Sequence, residues 1–428
     1  MNRRVAITGY GVISPVGNDV PSFWNSITNG KSGIGPVTKF DASKLEARIA
    51  AEVKDFDTNP YMERKDARKM ALFSQYAVAA AVQAWRDAGF AEPPAAEGEE
   101  ARRWVGPYDA DRIATVLGNG IGGIEIMTES HRKLFDAGPG RMPPMTVPMM
   151  IGNEGAANVA MRLGLHGPAY TQVTACASST DAIGQALDMI RLGRADVVVA
   201  GGTEATVSEF AMGGFCRLQA LATKFNDNPE KASRPFDADR DGFILGEGAA
   251  ILILEDWDKA VARGARIHAE LAGYGGSCDA YHLTAPDPSG KGGAVAIKNA
   301  IADAGIKPED VGYFNAHGTS TQINDPTETK MLKIAFGDHA RKMKISSTKS
   351  MTGHMLGAAG AIEALVCVKA VEEGFVPPTI NLEHPDVEGG CDLDYVPNKG
   401  IAMPVEYAAS SSLGFGGHNG VLVIRRAR

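Results

Sequence analysis

Short apolar runs alternate along this chain with longer alanine-rich stretches, and this alternation limits the folds available to it. Val197–Ala200 is a continuous apolar run followed by two glycines, which is typical of a strand buried on both faces. Met70–Gly89 has the length and the terminal glycine of a helix. Strands that are separated by helices need βαβ crossovers. The pattern therefore predicts an α/β protein with largely parallel sheets.

The predicted elements form two series. The first has strands at Arg4–Thr8, Ile113–Leu117, Tyr170–Thr174, Val197–Ala200 and Ala249–Leu254, and helices at Met70–Gly89 and Ser178–Gly193. After about residue 265 the pattern restarts, with strands at Val311–His317, Lys344–Ser347 and Gly420–Arg425 and helices at Gly293–Gly305, Asp325–Phe336 and Gly357–Gly374. A helical stretch near residues 181–193 also resembles one near 360–374. We therefore expect an N-terminal half, residues 1–265, and a similar C-terminal half, residues 266–428, that face each other.

The chain is mildly acidic, with a formal net charge of −8 from 43 basic and 51 acidic residues. General binding to nucleic acid or to an anionic membrane needs a basic face, so we expect neither partner. No apolar run is long enough to cross a bilayer, and the first residues lack the apolar region of a signal peptide. The five cysteines are widely spaced and form no CxxC motif, which is typical of a reducing compartment. We therefore expect a cytoplasmic protein without a disulfide framework.

Three other segments have simple structural explanations. The extra segment 91–112 is polar and rich in proline, glutamate and arginine, which indicates a surface loop. Gly118–Gly123 matches GxGxxG, but no strand with an acidic end follows as a dinucleotide site requires, so we expect a closely packed glycine turn. The run Asp237–Asp241 imitates a calcium loop without its final glutamate. We expect it to form ion pairs with Arg234 and Arg240.

The candidate chemistry is concentrated at three positions where a strand is predicted to meet a turn or a helix. Cys176 precedes a helix, whose unpaired N–H groups and dipole favour the thiolate, so we expect a lowered thiol pKa. His317 follows a strand, and His354 lies in a glycine-rich stretch before another helix. A single cysteine or histidine is usually structural. Three in similar positions, without the spacing of a metal site, indicate nucleophilic catalysis.

These residues lie in segments that resemble a known enzyme family. The segments are TACASS around Cys176, NAHGTST around His317, STKSMTGHMLGAAGAIEA around His354 and SLGFGGHNG around Phe415. They are similar to the β-ketoacyl-[acyl-carrier-protein] synthases, most closely those of type II, in the thiolase-like superfamily. The resemblance covers essentially the whole chain and implies a five-layered αβαβα fold made of two similar halves. The 91–112 segment is longer than the family pattern predicts.

The resemblance also implies an activity, a decarboxylative Claisen condensation that lengthens an acyl chain by two carbons in fatty-acid synthesis. Cys176 would hold the acyl group as a thioester and accept the attack of the carbanion formed from malonyl carrier protein. The backbone amides of Cys176 and Phe415 would bind the oxyanion. His317 and His354 would donate hydrogen bonds to the enolate oxygen through Nε2. No redox cofactor is required, because decarboxylation drives the formation of the bond.

Further site residues are carried over from the family. Lys349 is expected at the catalytic site with Glu363 as its supporting partner, and Thr319 and Thr321 are expected to hydrogen-bond the phosphopantetheine arm. Phe415 is flanked by glycines, which allow a loop to have two arrangements, so we expect its ring to be a gate to the acyl pocket.

The family also suggests partners for the chain. Lys65, Arg68 and Lys69 have the i, i+3, i+4 spacing of one helix face, an unusual basic group in an acidic protein. They form either a solvated face or a dock for an acidic acyl carrier protein, and the resemblance favours the dock. It further implies a homodimer. Some relatives hold a structural sodium or potassium ion at positions that match Asn315, Glu363, Ser410 and Ser411 here.

Four other functions are alternatives to this reaction. A thiolase would need a second catalytic cysteine, and neither Cys367 nor Cys391 lies in a matching glycine motif. A non-catalytic partner subunit of a polyketide synthase would lack the nucleophile. A cysteine hydrolase would need an Asp or Asn to orient a histidine. A catalytic ketosynthase of a type II polyketide or polyene pathway stays open as the alternative. Leu413 stands where the family often has phenylalanine, which bears on the shape of the acyl pocket.

Overall fold

The computed structural model describes residues 3–93 and 102–428. Its strands are β1 (Val5–Ile13), β2 (Gly35–Pro36), β3 (Ile49–Ala50), β4 (Ile113–Gly118), β5 (Ala169–Gln172), β6 (Val197–Glu204), β7 (Gly248–Asp256), β8 (Ala269–Cys278), β9 (Val311–Asn315), β10 (Lys344–Ser346), β11 (Phe375–Val376), β12 (Ile401–Ala402), β13 (Tyr407–Gly414) and β14 (His418–Arg426). Its helices are α1 (Val20–Thr28), α2 (Arg64–Ala67), α3 (Leu72–Asp87), α4 (Ile124–Ala137), α5 (Thr146–Met150), α6 (Glu154–Leu163), α7 (Ser178–Arg191), α8 (Glu209–Arg217), α9 (Trp257–Ala262), α10 (Lys291–Ala304), α11 (Asn324–Phe336), α12 (Lys349–Thr352) and α13 (Ala359–Glu373). Short 3₁₀ turns precede α7 at Ala175–Ala177 and α13 at Leu356–Ala358.

Ten strands are hydrogen-bonded in the order β10-β9-β13-β14-β8-β1-β7-β6-β4-β5. The five strands from β1 to β7 in this sheet and the five from β8 to β14 have the same internal order, three-two-four-five-one. Their pairings also match, because in each set the first two pairings are parallel and the last two are antiparallel. The two sets meet where Ala6 and Ile7 pair with β8. The repeated order shows two similar halves, which divide between β7 and β8.

The two sets of five strands form two layers, and the helices form three more, two outside and one between the sets. On one outside face, α3 and α6 pack against strands of the first half, and on the other α10 packs against β8 and β14. Between the two halves lie α7 and α13, which contact strands of both. This middle position explains the sequence of α13, since all residues from Ala359 to Val371 are buried. A helix that is covered on every side has no polar face.

Glycines in the strands let the outer helices approach closely. A Cβ on Gly11 of β1 would collide with the carbonyl oxygen of Ala80 in α3. The second half repeats the arrangement, because a Cβ on Gly275 of β8 would collide with the carbonyl oxygen of Ala296 in α10. The high glycine and alanine content therefore supports close packing of helices on the sheet rather than flexible loops.

The structure corrects two expectations about the elements. The sheet is mixed rather than largely parallel, because β7 is antiparallel to both β1 and β6, and β14 is antiparallel to its neighbours. Strands β8 and β13 were not predicted. Both consist mainly of small residues, with one tyrosine and one leucine each, so neither shows the run of branched or aromatic side chains that usually indicates a strand.

The segment 91–112 is only partly a surface loop. Residues 94–101 lie outside the described residues. Trp104 is 3% exposed and packs edge-on against Trp85 and Phe90. Its indole donates a hydrogen bond to the carbonyl of Ala91 at 2.9 Å. The second part of the segment is therefore held on the N-terminal core by an aromatic side chain, which its polar composition did not indicate.

The predicted glycine turn is confirmed, and the predicted ion pairs of the acidic run are confirmed for Arg234 but not for Arg240. Gly118 is packed against the backbone of Ser179, with which a Cβ would collide, as expected for a tight glycine turn. Asp237 accepts a hydrogen bond from Arg234 Nε at 2.9 Å, and Arg240 Nη1 lies 2.8 Å from Asp386. Arg234 therefore pairs with the acidic run, whereas Arg240 pairs with carboxylates outside it, Asp325 and Asp386.

Candidate active site

Cys176 lies in the 3₁₀ turn between β5 and α7, in the wall of a cavity. The preceding residue, Ala175, has a left-handed φ of +51°, a conformation that costs a non-glycine residue free energy. The side chain is nearly buried, with 8% exposure, and it lines the cavity. The strained turn therefore places a nearly buried thiol next to the space that a substrate would enter.

Two histidines from the C-terminal half lie beside this thiol. His354 Nε2 is 3.0 Å from Cys176 Sγ. The rings of His317 and His354 are perpendicular, with centroids 5.1 Å apart. One nitrogen of each ring and the sulfur lie within 4.8 Å of one another. The topology thus brings together three residues that are far apart in the sequence.

Lys349 fixes the orientation of His317. Its Nζ lies 3.2 Å from His317 Nδ1 and pairs with the buried carboxylate of Glu363. An ammonium group only donates, so Nδ1 accepts and the ring proton is on Nε2. Burial lowers the pKa of both histidines well below the usual range, and the charge of Lys349 lowers each further. Both rings are therefore neutral near pH 7, and the nearby ammonium opposes binding of a metal cation by the three residues.

The expected low pKa of the Cys176 thiol is wrong. Burial raises this pKa to about 12, and the charge of Lys349 and the amide of Phe415 oppose the effect only in part. The helix start is visible in the sequence, whereas the depth of the site is a property of the whole fold. A thiol of this kind needs a base, and His354 Nε2 is within hydrogen-bonding distance. His354 Nδ1 is buried without a hydrogen-bond partner among the described residues, so no contact fixes its tautomer.

The backbone amides of Cys176 and Phe415 are close enough to the thiol to lower its pKa, against the effect of burial. Gly414 explains how the second amide comes so close. A Cβ at this position would lie 2.6 Å from the carbonyl oxygen of Thr174 and 3.3 Å from the Cys176 nitrogen. Only glycine leaves this approach open. The two amides therefore lie near the sulfur, as the family pattern implies for oxyanion donors.

The cavity has a volume of about 450 Å³. Its lining includes the catalytic cluster, Thr319, Thr321, Phe415 and the glycine turn after β4. The hydroxyls of Thr319 and Thr321 are 3.0 Å apart, and both residues line the same largely apolar cavity as the cysteine. The arrangement combines a nucleophile, a base, two amide donors and a long apolar space.

The β-ketoacyl synthase N-terminal domain profile matches residues 2–260, and the corresponding C-terminal domain profile matches residues 268–383. The chain belongs to the β-ketoacyl synthase family. It is 47% identical to the 3-oxoacyl-[acyl-carrier-protein] synthase 2 of Synechocystis sp. over 99% of this chain and 98% of that protein. The same percentage relates it to the synthase 2 of Coxiella burnetii, over 99% of each. A ketosynthase solved with its type II polyketide acyl-carrier protein superposes with a TM-score of 0.89 at 35% identity over the full length of both chains.

As in other ketoacyl synthases, the fold is thiolase-like and the chain is an acyltransferase-type enzyme. Among the described residues, no helix is both long enough and apolar enough to cross a membrane.

Phe415 lies in the turn that joins β13 to β14 and is half-buried at the cavity. Gly416 and Gly417 follow it with φ of +88° and +78°. The Gly416 amide donates to the carbonyl of Leu283 at 2.7 Å, and Gly417 accepts from the amide of Asp279 at 2.8 Å. The ring therefore lies on a short turn with two glycine hinges, held by backbone hydrogen bonds to a neighbouring loop.

Lys65, Arg68 and Lys69 are exposed and do not line the cavity. The helix that carries them, α2, ends at Ala67, so only Lys65 is within it. Lys65 pairs with Glu63 at 2.9 Å. The predicted helical face is thus shorter than its spacing suggests, and the three side chains remain available to solvent.

Three of the four residues expected to hold a monovalent ion share one property. Asn315 Oδ1, Glu363 Oε2 and Ser410 Oγ are buried without hydrogen-bond partners among the described residues. The hydroxyl of Ser411 instead donates to Glu328 at 2.7 Å. Unpartnered buried oxygens are costly unless something binds them, and oxygen ligands suit a hard cation. The residues therefore fit such an ion.

Two buried glutamates at the site were not found from the sequence. Glu328 in α11 accepts hydrogen bonds from the amides of His317 and Gly318, both at 2.7 Å, and so fixes the strand end that carries the histidine. Glu204 accepts bonds from amides of two loops at the cavity. A signal was present, since each carboxylate interrupts a buried face, but the amides that it contacts are distant in the sequence.

Proposed function

We propose that this enzyme catalyses the decarboxylative condensation of malonyl-[acyl-carrier protein] with an acyl group held on Cys176, which lengthens a fatty-acyl chain by two carbons. The observation that supports it best is the cluster of one thiol, two neutral histidines and two amides in the wall of an apolar cavity. The test supplies acyl and malonyl carrier together. A β-ketoacyl product is expected, and release of free acid alone would exclude condensation.

In the first half-reaction, Cys176 takes the acyl group from its carrier thioester. His354 Nε2 accepts the thiol proton, and the sulfur attacks the carbonyl carbon. The amides of Cys176 and Phe415 stabilise the oxyanion, and the carrier thiolate leaves and takes the proton. Removal of the proton by a base is needed because the pKa of the thiol is raised to about 12 by burial.

In the second half-reaction, malonyl carrier loses CO₂, and the electron pair of the broken carbon–carbon bond forms an enolate. The Nε2–H of His317 hydrogen-bonds the enolate oxygen, and His354 adds a second donor when Nε2 is protonated. The carbanion attacks the acyl thioester, and the sulfur of Cys176 leaves as the carbon–carbon bond forms. Neutral rings suffice, because Lys349 holds His317 in the tautomer that donates.

The alternative is a ketosynthase of a type II polyketide or polyene pathway. The likeness to a polyketide ketosynthase favours it, while the higher identity to the synthases of fatty-acid type favours elongation. The two are separated by supplying a limited primer with excess malonyl carrier and no ketoreductase. A single two-carbon extension supports fatty-acid elongation, and an unreduced chain extended several times supports the alternative.

Docking of the acidic carrier protein is proposed at Lys65, Arg68 and Lys69, supported by their exposure and positive charge. The double variant Lys65→Glu, Lys69→Glu should raise KM for carrier-bound substrate and leave turnover of small thioesters unchanged. The wild-type KM should also rise with salt, because exposed charges are screened. Steady-state kinetics with both substrate forms test this. The control is Lys298→Glu, which reverses one exposed charge in the other, C-terminal half. Equal carrier KM values in wild type, the double variant and the control would contradict the dock.

Phe415 is proposed to block the acyl pocket while Cys176 is free and to move aside when it is acylated, so that malonyl enters second. Its glycine hinges support this role. Phe415→Ala should change thermal stability little, and malonyl decarboxylation should no longer depend on prior acylation. The measurement is CO₂ release with and without an acyl primer. Equal primer effects in variant and wild type would show that the ring is static.

A sodium or potassium ion is proposed to be held by Asn315, Glu363 and Ser410, with Ser411 beside them. Its part would be structural, since it would satisfy buried oxygens behind the catalytic histidines. Turnover in buffer free of both ions should therefore equal that in either salt, while the melting temperature falls. A turnover that disappears without the ions and returns with either would instead give the cation a part in the chemistry.

A homodimer is proposed from the family and is supported by the edge of the sheet. Strand β5 ends the strand order, and Val173 just after it is 61% exposed. A strand edge with apolar neighbours is suited to pairing with a second copy.

A further inference from the structure

Glu204, at the end of β6, is fully buried and has no part in the proposed reaction. Its Oε2 accepts hydrogen bonds from the amide of Gly120 at 2.8 Å and from that of Gly357 at 3.0 Å. Its Oε1 accepts a longer bond from the amide of Ile121 at 3.4 Å. Gly120 and Ile121 belong to the glycine turn after β4, and Gly357 belongs to the 3₁₀ turn that follows His354. One carboxylate therefore joins loops from the two halves.

The repeat of the two halves shows what position this carboxylate occupies. The 3₁₀ turn before α7 carries Cys176, and the 3₁₀ turn before α13 carries Gly357 at the same place. In both turns the preceding residue has a left-handed φ, +51° for Ala175 and +43° for Leu356. The amide of Gly357 is therefore the counterpart of the Cys176 amide, one of the two oxyanion donors.

The strand ends that face these turns correspond as well. Strand β13 contacts the turn before α7, and β6 contacts the turn before α13. Gly414 ends β13 and leaves the space in front of the Cys176 amide open. Glu204 ends β6 and places its own oxygen on the Gly357 amide. The side chain of Glu204 thus fills the site that, in the active half, is left free for the oxygen of a substrate.

We propose that Glu204 is a positioning residue that holds the turn at Gly120 and Ile121 against the turn at Leu356, and so sets the wall of the pocket for the acyl chain. That an acyl chain occupies this pocket rests on the proposed function. All three of these residues line the cavity. The fit is tight, because a Cβ on Gly120 would lie 2.6 Å from Glu204 Oε2 and one on Gly357 would collide with the Gly120 nitrogen. A displaced carboxylate would therefore change the width of the pocket.

The charge of Glu204 has a second effect, on the reactivity of the Cys176 thiol, that can be measured separately from the width of the pocket. Burial raises the pKa of this carboxyl to about 7, and the charge of Glu125 contributes to the rise. Once ionised, Glu204 raises the pKa of the Cys176 thiol, against the lowering effect of Lys349. Removal of this charge should therefore make the thiol more reactive above pH 7, where the wild-type carboxyl is ionised.

The experiment compares Glu204→Gln with Glu204→Asp. Glutamine keeps the length, and its one oxygen can still accept from Gly120 and Gly357, but its NH₂ group then faces the donor groups of Ile121 and Asn119. Aspartate keeps the charge but is one methylene too short to reach both loops. Alkylation of Cys176 is followed by peptide mass with iodoacetamide and with N-dodecyl iodoacetamide, whose chain must enter the pocket. Glu247→Gln is the matched control, since it also removes a buried carboxylate, one that pairs with Lys39.

Both Glu204 variants should slow the dodecyl reagent about tenfold relative to iodoacetamide, because a small displacement of a site wall has large effects. Only Glu204→Gln should speed iodoacetamide above pH 7. The control should keep the wild-type ratio of the two rates. An unchanged ratio in either folded Glu204 variant would overturn the proposal. Gly120→Ala, which pushes on the carboxylate from the loop and keeps the charge, should lower the ratio as well if Glu204→Gln does not fold. Because alkylation needs no turnover, a wild-type enzyme without condensation activity would reject the proposed function without deciding this test.

Discussion

Replacement of Cys176 by alanine is expected to abolish acyl transfer and condensation completely, while the fold is kept. Both half-reactions pass through the sulfur, and the amides of Cys176 and Phe415 and the ring of His354 all converge on it. Alanine fits the turn without new contacts, so thermal unfolding should stay close to that of wild type. The measurement is intact mass after incubation with acyl carrier protein, which should show one acyl adduct on wild type and none on the variant.

Cys278 supplies the control, since it is the exposed cysteine among those the structure describes and the easiest to acylate without catalysis. Cys278→Ala should keep the adduct. An adduct that persists on Cys176→Ala would show that another group is the nucleophile and would remove the basis of the proposed reaction.

The fold could be predicted wherever a strand is apolar and branched. Gly248–Asp256 was found near its observed bounds and the first half of Val197–Glu204 was found, because strands buried on both faces are continuous apolar runs. Tyr407–Gly414 was missed, since YAASSSLG consists mainly of small and polar residues. Its serines are buried against the middle helices, and this packing exists only once the second half has folded. The antiparallel directions of Gly248–Asp256 and His418–Arg426 were not predicted, although both strands were, because the direction of a strand is set by its partners.

The site was predictable as a set of residues but not in its electrostatics. Cys176, His317 and His354 were identified from local motifs, and the structure brings them together. The pKa of the thiol was predicted in the wrong direction, because the helix start is a local feature whereas burial is produced by the whole fold. Glu204 was missed because its partners lie on loops from both halves. Sequence reasoning thus finds the reacting groups more readily than the charges that tune them.

The two histidines should separate into different roles when each is replaced by alanine. From the family pattern alone, both variants are expected to lose malonyl decarboxylation far more than acylation of Cys176. The structure keeps this expectation for His317, which is anchored by Lys349 and has no hydrogen bond to the sulfur. His317→Ala should lower decarboxylation by about 10²–10³-fold, the usual cost of one lost donor to a developing oxyanion, and acylation should stay near wild type.

His354 is different because its Nε2 lies 3.0 Å from the Cys176 sulfur. His354→Ala should lower decarboxylation to a similar extent and should also slow acylation, since a thiol whose pKa is raised to about 12 then has no base beside it. The lost acylation should return as pH rises, because hydroxide replaces the histidine as base. Below a pKa of about 12 the thiolate fraction increases about tenfold for each pH unit.

The two half-reactions are measured separately, by acyl adduct mass and by CO₂ release, between neutral and alkaline pH. His317→Ala serves as the matched control, as it removes the neighbouring ring without removing the base. In that variant the acylation rate should follow the wild-type pH profile. An acylation rate in His354→Ala that does not change with pH would show that the thiol ionises without the histidine. In that case His354 would act only as a donor to the enolate, and the thiol would have the low pKa expected from the helix start.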